Sequence, residues 1–302
     1  MNEEEFTVKE LVTDYFAEWT DTYRKGAVRE STLKKYDYVH RQLSIIAPNV
    51  RMCDLDRMEY QKILNEFAKT HEKTTVTGFH HLLKACVRDA FHDGDIASDP
   101  SRRAVIKGRP SKEKKRKFLD FKELQKLISD LDLECETDLL IYFIAKTGLR
   151  FSEALAVTPK DFDLRKHTVS ITKSRSHQSD ELPVKNRSSV RTITIDSATL
   201  AFVRPRIRPV GKNAPIFPCL YNSTANYRLK RHCQNAKIPV ITVHGLRHTH
   251  ASLLLYKGVS VQSVAKRLGH ADTTITQKTY LHIISELEDR DRAKINAVLG
   301  KF

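Results

Sequence analysis

Four short segments in the second half of the chain combine basic and nucleophilic side chains with strong apolar patterns. TGLRFSEAL, from Thr147 to Leu155, carries Arg150 and, three residues on, Glu153, so the two share a helical face next to a glycine, Gly148, that permits a tight approach. Lys185 stands in the polar turn KNRSS. HGLRHTHAS, from His244 to Ser252, places His244 and Arg247 at i and i+3 near a helix start that Thr242 can cap. Leu246, Leu253 and Leu254 bury that helix, which leaves its His/Arg side to face something other than core. In RLGHADTTITQKTYLH, His270 follows the helix-stopping Gly269, and Tyr280 lies ten residues later. Cations gathered this way suit an anion. Taken singly, an Arg–Glu pair is more often a helix salt bridge, a turn lysine a solvated group, and a tyrosine a packed ring.

Charge points to the same kind of ligand. The 302 residues hold 52 Lys and Arg against 37 Asp and Glu, a formal net charge of +15, so polyanions are the expected partners. From 197 to 271 there is no acidic residue at all, while 12 Lys or Arg occupy that stretch. Such a run predicts a continuous positive surface facing phosphates. Five cysteines without a CxxC pair read as reduced thiols. No apolar run is long enough to span a membrane, and the acidic start MNEEEFTVKE is unlike a signal peptide. The expected location is therefore cytoplasmic, on the nucleoid.

The elements that must position these residues fall into two domains. Residues 1–100 read as four helices. The first opens on a Thr7–Glu10 capping box and carries Val8, Leu11, Val12, Tyr15, Phe16 and Trp19. The second starts at Ser31 and stops before Pro48. The third is capped by Asp56 with Glu59, and the fourth runs from about Thr75 to Asp93 with Gly94 as its stop. A basic linker is expected at 101–117, and 118–302 forms the second domain, which begins on a helix capped by Asp120 and Glu123. Period-2 alternation places a small antiparallel sheet between about 167 and 196, with Arg191, Ile193 and Ile195 alternating against Thr192 and Thr194. A hairpin is expected to join LPVK to VRTITI through KNRSS, and the pattern is helical again from 225. The fold class is thus mainly α with a small antiparallel β-sheet in the second domain.

In their order and spacing the four segments resemble the tyrosine recombinases, or phage-type integrases, over about residues 118–290. Residues 1–100 resemble that family's core-site-binding domain less specifically. The resemblance implies a catalytic set of Arg150, Lys185, His244, Arg247, His270 and Tyr280, with Tyr280 the nucleophile and Glu153 a supporting residue. Family members often begin with a further small domain for separate arm sites. The few residues before the first helix leave no room for one, which predicts a member that uses core sites only, or a shortened chain.

The chemistry explains the residue types. Attack of Tyr280 on a phosphodiester builds charge on the non-bridging oxygens, and Arg150 and Arg247 can each offer paired donors that stay charged. Lys185 is the expected general acid for the leaving 5′ hydroxyl. His244 suits proton transfer or a phosphate hydrogen bond, and His270 a bond to the phosphate or its surroundings. A 3′-phosphotyrosyl link conserves the bond energy, so no cofactor is expected. His248 and His250 lack cysteine or carboxylate company, so no metal is expected either.

Duplex contact is assigned to Arg102, Arg103, Lys107, Arg109, Lys114, Lys115, Arg116, Lys117, Arg187, Arg191, Arg228, Lys230 and Arg231. The implied partners are double-stranded core attachment sites, a homotetramer on paired sites and an excision factor. The tail, with Ile283, Ile284, Leu287, Ile295, Val298 and Leu299, is expected to pack on its own domain or on a neighbouring protomer. Three other readings fit part of the pattern: a non-catalytic DNA-binding protein, a type IB topoisomerase, and a host recombinase that resolves chromosome dimers.

Overall fold

The computed structural model describes residues 10–110, 116–175, 189–207, 209, 211–274, 276–277, 280 and 299, with 176 and 179–183 as backbone. The chain divides into two compact units, Met1–Lys114 and Lys115–Phe302. It is mainly helical, with small antiparallel sheets in the second unit. Among the described residues no helix is long and apolar enough to cross a membrane.

The first unit is built from α1 (Val12–Tyr23), α2 (Glu30–Ile46), α3 (Arg57–Ala68) and α4 (Lys73–Asp93). Each turns an apolar stripe inward, so that Phe16, Trp19, Tyr36, Leu43, Tyr60, Phe67, Phe79 and Leu83 form one core. The buried indole of Trp19 donates to Asp89 at 3.0 Å, and Arg24 lies over its ring at 4.3 Å. Asp56 caps α3 by accepting from the Glu59 amide, and Gly94 ends α4 at φ +84°.

Two expectations for this unit are corrected. The first helix starts at Val12, because residues 10–12 are held extended against 50–52: Met52 N donates to Glu10 O, and Val12 N donates to Val50 O. Thr7 lies outside the described residues. The expected linker is also not free chain over its first part. Ala104 and Ile106 pack on the core, and the Val105 amide donates to the side chain of Gln61. Arg109 bridges to Glu72 in parallel register. The small apolar residues among the cations tie this stretch down.

The second unit opens on α5 (Phe121–Asp130), where Asp120 and Glu123 form both halves of a capping box. At its centre is α6 (Glu136–Thr147), whose residues Asp138 to Ala145 are all buried. A helix apolar on every side needs cover all round. It receives cover from α8 (Ser197–Ile207), α9 (Asn222–Asn235) and α10 (Val243–Tyr256), while α7 (Phe151–Ala154) follows it directly. The sequence pattern gave no sign of α8, which has Pro205 in its last turn. The short α11 (Val261–Leu268) follows α10 and is capped by Ser260.

Strands β1 (Phe162–Asp163), β2 (Thr168–Ile171) and β5 (Arg191–Thr194) form one antiparallel sheet, in the order β1-β2-β5. Strands β3 (Lys173–Ser176) and β4 (Ser179–Pro183) form a second. The expected hairpin of LPVK with VRTITI is therefore not formed. Leu182 and Pro183 pair with Ser174 and Lys173, and β5 pairs with β2 instead. Burial selects that partner, since Val169 stands opposite Ile193 and both face the core.

Candidate active site

The site is organised around the ends of two helices. Gly148 terminates α6 at φ +71°, and Gly269 terminates α11 at φ +70°. At Gly148 a side chain is excluded twice over, because a Cβ there would lie 2.6 Å from the His250 ring. Each helix end leaves carbonyls without intrahelical partners, and three arginines take them. Arg247 donates through Nη1 to Gly148 O at 2.8 Å and through Nη2 to Leu268 O at 2.7 Å. Arg191 Nε donates to Arg267 O at 2.6 Å, and Arg150 Nη2 to Gly269 O at 3.4 Å. Three successive carbonyls of α11 thus each hold a different guanidinium, and the negative end of the helix favours those charges.

One carboxylate serves this group. Glu153 is buried, accepts from Arg150 Nη1 at 2.6 Å and from Arg191 Nη2 at 2.8 Å, and caps the Arg150 amide at 2.9 Å. Burial pushes its carboxyl upward, but the Arg191 hydrogen bond and the charges of Arg191 and Arg150 outweigh it and hold its pKa below the ordinary 4.5. Stability from this arrangement is accordingly present above the ordinary carboxylate range and is lost as pH falls through the depressed folded value. Replacing Glu153 by alanine strands the buried Arg191 and is expected to cost about 3–5 kcal/mol. Urea unfolding checks this; a variant with parental stability at neutral pH contradicts it.

Among the described residues, Arg150, Arg191 and Arg247 face a single carboxylate, Glu153, so the site as described is short of negative charge. Burial first, then Arg150, draws the Arg247 pKa down to about 9. The imidazoles respond in the same direction. Loss of hydration and then His244 and Arg247 bring His248 to about 4, and loss of hydration and the arginines bring His270 to about 4. His244 is lowered by the same causes, with Arg247 the first charge. These rings are neutral near pH 7, and an entering anion would oppose the part of each shift that the neighbouring cations cause.

The structure brings Arg150, His244, Arg247, His270 and Tyr280 into the second unit's site. Tyr280 is 2% exposed and packs on Ala251, Leu255, Val264 and Leu268. Burial pushes its phenol up to about 12 despite the nearby Arg247. Its hydroxyl lies 2.9 Å from His248 Nδ1. His270 Nδ1 lies 2.7 Å from Thr276 Oγ1. His244 stands edge-on to His248, with ring centroids 4.8 Å apart. Lys185, Arg187, Lys114, Lys115 and the tail from 281 to 298 lie outside the described residues.

Among the residues assigned to the duplex, Arg102, Arg103, Lys107, Lys117, Lys230 and Arg231 are exposed. Arg109 is exposed while its Nε donates to Lys69 O. Arg116 pairs with Glu123 at 2.8 Å, and Arg228 grips the buried Asp138 through two bonds of 2.8 and 3.1 Å. Arg191 is a correction. It is buried, with Nε, Nη1 and Nη2 donating to Arg267 O, Ser189 O and Glu153, so it braces the site from within and does not lie on the exposed surface. Its place on β5, in phase with Ile193, turns it inward. His248 is a site residue that the family resemblance does not single out, although its i+4 spacing from His244 puts both on one helix face.

Residues 117–286 match the Phage integrase family. The chain belongs to this family of tyrosine recombinases. An integrase of Staphylococcus phage L54a is 29% identical over 178 residues, covering 51% of this chain and 50% of the phage protein. The chain thus spans about half the length of that relative. Tyrosine recombinase XerD of Listeria innocua is 25% identical over 269 residues, covering 84% of this chain and 88% of XerD. Among solved structures, the integrase of transposon Tn1549 in complex with transposon right end DNA superposes with a TM-score of 0.76. It is 18% identical and covers 93% of this chain and 99% of the other. The last of these likenesses is one of fold.

Proposed function

We propose that this chain is a site-specific DNA recombinase that cuts one strand at a time, holds the 3′ end on Tyr280 and rejoins it to a different 5′ hydroxyl. The observation that carries this reading is the cation-rich, anion-poor site in which two helix ends present Arg150 and Arg247 beside a buried tyrosine. A phosphodiester supplies the missing negative charge, and the guanidiniums are already in place where it grows in the transition state. Glu153 positions Arg150 without touching the phosphate.

We assign the protein to a mobile element, as the enzyme for its integration and excision, acting on core attachment sites as a homotetramer with an excision factor. Strand exchange between two duplexes needs four protomers, and the likeness to a phage integrase supports the element. Residues 1–100 and the exposed cations Arg102, Arg103, Lys107, Lys117, Lys230 and Arg231 would hold the duplex. The likeness to XerD over most of both chains favours a second reading, resolution of host chromosome dimers. Incubation with the DNA flanking its own gene, a denaturing gel for a covalent adduct and mapping of the attached 3′ end tests the function. An adduct at the junctions of an inserted element supports the first reading, and one at a chromosomal site without an element supports the second.

Lys185 is proposed as the general acid. If so, a substrate with sulfur as the leaving 5′ atom rescues Lys185→Ala substantially and Arg150→Ala little, because a thiolate leaves without a proton. Single-turnover cleavage of both substrates checks this. Loss without selective sulfur rescue removes Lys185 from that role.

A further inference from the structure

We propose that His248 is a catalytic residue of this site, which takes the proton from Tyr280 as its oxygen attacks phosphorus and returns it when the link is broken. The inference rests on the recombinase reading above and adds to it the identity of the base. Among the described residues, the hydrogen-bond partner of the Tyr280 hydroxyl is His248 Nδ1, at 2.9 Å. This is within reach for direct transfer. His244, on the same helix face one turn earlier, meets His248 edge-on and has no such bond among the described residues.

Three features suit the ring to the task. It sits on α10, one residue after Arg247, whose guanidinium is fixed to two helix ends, so the base and the phosphate clamp share a backbone. Tyr280 is buried, so solvent is not at hand as an alternative acceptor. Among the described residues, the charged and titratable groups around the ring are His244, Arg247, Lys117, His270 and Tyr280 itself, with no carboxylate among them. The imidazole is therefore neutral at rest and has a lone pair to offer. An entering phosphodiester opposes those cations and makes the ring more basic at the moment it is needed.

The step balances without a further reactant. With the ring proton on Nε2, the Tyr280 hydroxyl donates to Nδ1. The Tyr280 Oη–P bond forms as the bond from phosphorus to the 5′ oxygen breaks, the phenolic proton passes to Nδ1, and the leaving oxygen is protonated by the general acid. Rejoining runs the same path backward. His248, now imidazolium, hands its proton to the departing phenolate.

The test combines two substitutions. His248→Phe keeps a ring of similar shape without a lone pair, and His248→Gln keeps a hydrogen-bond acceptor that cannot carry the proton. Each is made with Tyr280 and with 3,5-difluorotyrosine at that position, whose phenol ionises without help at mildly alkaline pH. The probe is a nicked duplex of the mapped cleavage site, and the readout is single-turnover adduct formation beside DNA affinity. The expected result is a loss of about 10²-fold or more for both variants with tyrosine, little change in affinity, and a much smaller loss with difluorotyrosine. Parental cleavage by either variant, or a defect of equal size with both phenols, overturns the proposal. If the parent itself forms no adduct through Tyr280, the recombinase reading fails instead, so the two failures are distinct. Should His248→Phe not fold, the glutamine variant alone decides by the same comparison.

Discussion

Replacing Tyr280 by phenylalanine is expected to abolish the covalent adduct while leaving DNA affinity close to parental. The phenyl ring keeps its place against Ala251, Leu255, Val264 and Leu268, so the cavity stays filled. What is lost is one hydrogen bond to His248, worth about 0.5–1.5 kcal/mol. On the proposed reading the phosphate contacts that hold the duplex are made by other residues and would remain. Cleavage, in contrast, has no nucleophile. A denaturing gel beside a binding titration reads both quantities. An adduct that survives denaturation in this variant moves the nucleophile elsewhere, with the exposed Tyr256 and Tyr227 as the nearest substitutes.

The second large effect is expected at Arg247. In Arg247→Lys the charge remains, but one ammonium cannot hold Gly148 O and Leu268 O as the planar fork does and still offer paired donors to a phosphate. Single-turnover cleavage should fall by roughly 10²–10³-fold, with affinity changed only a few-fold, because transition-state charge is what the fork addresses. Arg150→Lys should behave alike, with less effect on stability, since its side chain is the more exposed of the two. Equal losses in binding and cleavage would reduce both to ordinary ground-state contacts.

Much of this site could be read from spacing. Gly269 is legible as a helix end, while Gly148 reads only as a point of tight approach, and Arg150, His244, Arg247 and Tyr280 stand beside apolar patterns but become a set only through the family resemblance. In the first unit, the Asp56 cap and the Gly94 stop are where the local chemistry puts them. What escaped were features decided by partners distant in sequence. The start of α1 is set by residues 50–52, and the partner of β5 is set by the apolar face of β2. Arg191 is the instructive case. Its alternation with Thr192 and in phase with Ile193 marked it as inward-facing, yet its charge argued for the surface. The strand phase prevailed because Glu153 and the α11 carbonyls compensate the buried cation.

The three consecutive carbonyls at the end of α11 have an implication for how this site tolerates change. No residue of α11 itself has been given a chemical role, yet Arg191, Arg247 and Arg150 are all registered on Arg267, Leu268 and Gly269. Tyr280 shares one buried cluster with Val264 and Leu268 of the same helix. A slip of α11 by one position would misplace three guanidiniums and the tyrosine together, whereas a shift of any single arginine disturbs one. The helix acts as a ruler against which the active groups are aligned. Volume changes at Val264 or Leu268, conservative by their chemistry, should therefore behave like substitutions of Arg150, Arg247 and Tyr280 themselves.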